Sequence, residues 1–120
     1  MLIYVRRIFN HDLTHQISIT NEVLYTFFDN EILIRIKGKK SEYIADVSLL
    51  LATDPRLGGE IKKLIRLEGG AYQNNYLIFY KTPKIFEMEI IKPGNRKYEI
   101  LKNVVFVNER HLISDFERIF

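Results

Sequence analysis

The residues best suited by type and spacing to chemistry are the histidines of His11-Asp12-Leu13-Thr14-His15. Histidines four apart face one way on a helix, the arrangement that zinc sites use. A zinc-peptidase helix carries a glutamate base where this chain has Asp12, one methylene shorter, and it needs a third ligand. The remaining histidine, His111, lies in a distant segment. A solvated or capping role is therefore expected for the pair, and no metal is assigned. A metal-dependent nuclease needs converging carboxylates and a lysine near a strand end. Glu87, Glu89 and Lys92 come nearest. Alternation puts both glutamates on the strand face of Ile85 and Ile91, which suits pairing with Lys or Arg across a sheet. Nucleophilic catalysis has no cysteine to use, and none of Ser18, Ser41, Ser48 and Ser114 stands in a G-x-S-x-G elbow. Gly58-Gly59 and Gly69-Gly70 lack the order of a phosphate loop. No catalytic residue and no cofactor is assigned, and a non-enzymatic role is favoured.

Charge gives a second lead. The chain has 18 Lys and Arg against 15 Asp and Glu, a net charge of +3. The excess concentrates in Arg35-Ile36-Lys37-Gly38-Lys39-Lys40 and in Lys92-Pro93-Gly94-Asn95-Arg96-Lys97, both of which read as turns between strands. Hairpins projecting from one end of a sheet would join Arg35, Lys37, Lys39, Lys40, Lys92, Arg96 and Lys97 into a positive edge suited to phosphates. Tyr72, Tyr76 and Tyr98 could then offer stacking faces to unpaired bases. Lysine-rich hairpin tips also keep sheets soluble and block edge pairing, so their relative position decides between the two readings.

The elements that must position these residues follow from periodicity. Ile32, Ile34 and Ile36 share one face and Leu33, Arg35 and Lys37 the other, a half-buried strand. Glu22–Phe28, rich in β-branched and aromatic residues, is expected to pair with it through an Asp29-Asn30 turn. Glu42–Leu51 forms a third strand. Asp54-Pro55 then opens a helix carrying Ile61, Leu64 and Ile65 on one face, and Gly69-Gly70 closes it. Residues 76–80, 85–91 and 97–107 read as three more strands. Asn108 caps a final helix with an apolar stripe of Leu112, Ile113, Phe116, Ile119 and Phe120. Leu2–Arg7 is a further strand and Asn10 a helix start.

The expected fold is α+β: a mainly antiparallel sheet, or sheets, of about six to seven strands with two main helices, in a strand-strand-strand-helix order seen twice. At 120 residues, 47% of them hydrophobic, the chain has the size of a single domain. Its apolar share excludes disorder, and no apolar run approaches the ~18 residues of a membrane span. With the apolar residues of Met1-Leu2-Ile3-Tyr4-Val5 preceding Arg6 and Arg7, the N-terminus reverses signal-peptide order, so a cytoplasmic location is expected.

The stretch from Pro55-Arg56-Leu57-Gly58 to Gly70, with Tyr76–Tyr80 and Gly94-Asn95-Arg96-Lys97, resembles the C-terminal half of RelE/ParE-type toxins over less than half the chain. It lacks the helical hairpin that family places before it. The resemblance implies that Arg96 and Lys97 would contact RNA or a target protein. In element order alone, the chain is also similar to homodimeric adaptors and type III secretion chaperones. The leading expectation is a small non-catalytic protein contacting nucleic acid through its two basic turns. The alternatives are a dimeric interaction module using Leu112, Phe116, Ile119 and Phe120, and a small RelE/ParE-type toxin or nuclease.

Overall fold

Strand β1, Leu2–Arg7, has its four central residues buried on both faces, which marks it as a strand inside a sheet. The computed structural model describes residues 1–28, 31–48, 55–106 and 108–120. After β1 come helices α1 (Asn10–Thr14) and α2 (Asn21–Thr26), then strands β2 (Glu31–Ile36), β3 (Glu42–Ser48) and β4 (Arg56–Leu57). Helix α3 (Gly59–Leu67) leads to β5 (Tyr76–Lys81) and β6 (Phe86–Ile91), followed by α4 (Arg96–Val104), β7 (His111–Asp115) and α5 (Phe116–Ile119). The strands form one seven-stranded sheet in the order β4-β3-β2-β6-β5-β1-β7. No helix among the described residues is long and apolar enough to cross a membrane.

The α+β class is as expected, but the sheet is mixed instead of mainly antiparallel. β2 lies parallel to β6, with Ile34 opposite Phe86 and Ile36 opposite Met88. The parallel pair forms because β2 is not the hairpin partner of a preceding strand. Residues 22–26 of the expected strand belong to helix α2, whose first turn is capped by Thr20 Oγ1 accepting from the Val23 amide at 3.1 Å. Val23, Leu24, Phe27 and Phe28 recur at helical spacing and are all buried. Burial of that four-residue repeat outweighs the strand propensity of the individual residues. The Asp29-Asn30 turn lies outside the described residues, as do residues 49–51 of the third strand and Asp54.

Three further expectations are corrected. Helix α3 starts at Gly59, after the short strand β4, and ends as anticipated: Gly70 N donates to Ile65 O and Gly69 N to Arg66 O. The expected strand from Lys97 is helix α4, because Asn95 caps it through the Lys97 amide at 2.9 Å and Tyr98, Leu101 and Val105 lie along one helical face. The expected C-terminal helix is largely strand β7, which pairs with β1 from Leu2↔Asp115 to Arg6↔His111. The open edge of β1 offers a row of backbone partners, so only Phe116–Ile119 remain helical. Among the described residues, five helices stand where two main ones were expected, and the second half runs strand-strand-helix-strand-helix.

The sheet carries apolar packing on both faces. Tyr4, Phe27, Phe28, Ile34, Phe79 and Met88 belong to the larger core, beneath α2 and α3. Ile3, Val5, Ile78, Tyr80 and Leu101 belong to the smaller one, against which residues of α4, β7 and α5 pack. β1 and β5 serve both cores, which explains their unbroken burial.

Candidate nucleic-acid interface

The parallel alignment of β2 and β6 determines where the basic turns go. Both strands run the same way side by side, so the chain leaves both at the same end of the sheet. The turn after β2 carries Lys37, Lys39 and Lys40; the turn after β6 carries Lys92 and leads to Arg96 and Lys97. The two turns have the same construction. Lys39 N donates to Ile36 O at 2.9 Å and Asn95 N to Lys92 O at 3.1 Å, with Gly38 and Gly94 in third position at φ 86° and 95°. Third-position glycine with positive φ is the signature of a type II turn, and Pro93 presets the position before Gly94.

Three of the seven expected cations are held by glutamates. Arg35 Nε donates to Glu87 Oε2 at 3.0 Å, Lys39 Nζ to Glu68 Oε2 at 2.8 Å and Lys97 Nζ to Glu89 Oε1 at 2.7 Å. Glu87 and Glu89 thus pair across the sheet and with α4, and Glu68 comes from the end of α3. Lys37, Lys40, Lys92 and Arg96 make no ion pair among the described residues. Lys37 Nζ lies 4.7 Å from the centre of the Tyr80 ring, and Lys92 Nζ 5.2 Å from that of Tyr72. The Tyr80 hydroxyl donates to Glu89 Oε1 at 2.6 Å and accepts from Lys97 Nζ at 3.1 Å. Burial, then the hydrogen bond to Glu89, pushes the Tyr80 phenol well above its ordinary range, which keeps it a donor.

The three tyrosines separate. Tyr72 is exposed beside the Lys92 turn, whereas Tyr76 is buried with its ring 5.4 Å from that of Tyr98. Tyr76 thus has no face to offer a base. Leu112, Phe116, Ile119 and Phe120 pack against the smaller core of their own sheet.

At the N-terminal motif, the rings of His11 and His15 stack with centres 3.9 Å apart. Asp12 turns inward: Arg6 Nη2 donates to its Oδ1 at 2.9 Å and the Phe9 amide to its Oδ2 at 2.8 Å. Among the described residues, no group of three or more His, Asp and Glu side chains is arranged to hold a metal ion. His111 stands on β7, opposite Arg6 of β1. Burial, reinforced by Arg6 and Arg110, lowers its pKa to about 4, so at neutral pH its Nδ1 is free to accept from the Tyr4 hydroxyl at 2.7 Å.

Sequence reasoning missed the Arg6–Asp12 pair and the Tyr80–Glu89–Lys97 cluster. The first had a visible signal: strand alternation puts Arg6 on the inward face of Tyr4, where a cation needs a partner. For the second, pairing of Glu89 with a cation was expected, but neither Lys97 nor Tyr80 was indicated, because the cluster joins three elements.

No protein-family model matches the chain, and no curated protein matches it. Among solved structures it is similar to the N-terminal domain of Helicobacter pylori LlaJI.R1, with a TM-score of 0.79 and 31% identity over 96% of this chain and 98% of that one. At that identity, with both chains aligned almost from end to end, the chain belongs to the family of the LlaJI.R1 N-terminal domain.

Proposed function

We propose that this chain is a non-catalytic nucleic-acid-binding domain that grips phosphates at the end of the sheet where its two basic turns lie. The observation that carries this reading is the parallel pairing of β2 with β6, which gathers Lys37, Lys39, Lys40, Lys92, Arg96 and Lys97 at one edge. Such a local excess, and not the net +3, is what attracts a polyanion. Four cations of the edge stand without an ion-pair partner among the described residues, and a phosphate would supply one.

The alternatives have less support. Leu112, Phe116, Ile119 and Phe120 pack on their own sheet, so they are not a free apolar stripe for a dimeric module. Glu87 and Glu89 are each engaged by a cation, which leaves a nuclease without converging carboxylates on that strand.

The test is binding to a labelled single strand across a salt series. Affinity falls steeply with salt, and Lys40→Gln with Arg96→Gln flattens the slope by about 1.4, at about 0.7 for each lost phosphate contact on a single strand. A double variant with unchanged affinity and slope removes this edge as the binding surface.

A further inference from the structure

A cavity of about 250 Å³ opens between α1, α3 and the segment that leads into β5. Its apolar walls are Ile8, Leu13, Ile17, Ile65 and Ala71, and Lys62, Arg66 and Tyr72 are its polar members. The acid in its lining, Asp12, is spent on Arg6 and the Phe9 amide, so it does not repel an anion. Lys62 is held in place at the end of α1, its Nζ donating to Asp12 O and His15 O at 2.7 Å each, which leaves one of its three donors. Arg66 is exposed and has no ion pair among the described residues. The cavity is thus apolar inside with uncompensated positive charge around it.

It also adjoins the basic edge. Tyr72, 64% exposed, lies under the Nζ of Lys92 from the second basic turn. On the other side, Glu68 at the end of α3 binds Lys39 from the first. A strand held on the basic edge therefore passes the cavity mouth. In size the cavity falls short of the roughly 300–1,000 Å³ of drug-sized ligand sites, which suits one planar ring system better than a dinucleotide.

We infer that this cavity receives the base of one unpaired nucleotide, with Tyr72 as stacking surface and Arg66, Lys62 and Lys92 facing its phosphate. This inference deepens the proposed nucleic-acid function and rests on it for the source of the nucleotide. A nucleobase has the flat apolar face that Tyr72 and the isoleucines can cover, and its phosphate has the charge that the surrounding cations lack. The same chemistry is offered by an unpaired base within a strand and by a free nucleoside monophosphate.

The experiment compares three labelled duplexes by fluorescence anisotropy: one fully paired, one with a single unpaired adenine, and one with an abasic site in place of that adenine. The adenine-bearing duplex binds about tenfold more tightly than the abasic one, the scale of one stacked base. Tyr72→Ala abolishes that difference and Tyr72→Phe retains it. Equal binding of the bulged and abasic duplexes overturns the inference while leaving the basic edge intact, as does a preference that survives Tyr72→Ala. A parallel titration with adenosine monophosphate, read on the amides of Gly70, Ala71 and Tyr72, separates the sources. Shifts there without binding of any duplex or of the labelled single strand keep the cavity as a nucleotide site and remove the nucleic-acid reading. No shifts and no base-dependent binding overturn the site itself.

Discussion

Arg6–Asp12 and Lys97–Glu89 are ion pairs of similar length, 2.9 and 2.7 Å, in opposite surroundings. The first has side chains 0% and 2% exposed and ties β1 to α1, with Arg6 Nε also donating to Ser18 O at 3.0 Å. The second has side chains 23% and 24% exposed, at the edge where the basic turns meet. Water cannot replace a lost partner in the first pair, so removing one leaves an uncompensated charge in the interior. In the second it can, so Lys97 can leave Glu89 for a phosphate at modest cost. Burial thus decides which pair belongs to the fold and which would be free to serve the proposed binding.

The strongest way to break this contrast is Asp12→Ala, which costs about 3–5 kcal/mol of stability in urea unfolding. A loss under about 1 kcal/mol would mean that Arg6 reaches solvent and that the two pairs are alike. Glu89→Gln sharpens the other side. It frees Lys97 and raises affinity for a single strand about two- to fivefold at low salt, the equivalent of an exposed pair's worth. Unchanged affinity would show that Lys97 does not exchange.

His111 tests burial through pH. Its folded pKa of about 4 lies below the ordinary 6.5, so between these values the unfolded chain binds a proton that the folded chain does not. Stability therefore falls as pH drops through that window, and His111→Gln makes the thermal midpoint less sensitive to acid there. An identical acid response in the variant would assign the loss to groups other than His111. The smallest effect is expected at Lys39–Glu68, where Lys39 is 61% exposed: Lys39→Ala changes stability by less than about 1 kcal/mol. A larger loss would move that pair into the fold.

Where one face of a segment carried the pattern, local reading worked. The alternation of Ile32, Ile34 and Ile36 is the buried face of β2, and Gly69-Gly70 does end α3. It failed for residues 21–26, 96–104 and 111–115, where apolar and aromatic composition suits either period and the neighbouring surface chooses. For α2 that surface is the larger core, for α4 the smaller core, and for β7 the vacant edge of β1. The cations of the candidate site were all legible as two clusters. That Glu87 and Glu89 would pair with Lys or Arg was legible too, but not which cation each would take, and Glu68 was not legible as a partner.

By itself the sequence determined the chemical inventory: no thiol, seven cations in or beside two glycine-bearing turns, and enough isoleucine and aromatic side chains to build cores. It also determined the turns, because Gly38 and Gly94 adopt locally a backbone conformation that most residues avoid. Only the tertiary structure decided that the turns lie together, since that follows from the parallel pairing of β2 with β6 across fifty residues of chain. The reason is physical: a turn is stabilised by hydrogen bonds among its own few residues, whereas the partner of a strand is chosen by the burial of its whole face against residues far away in the chain.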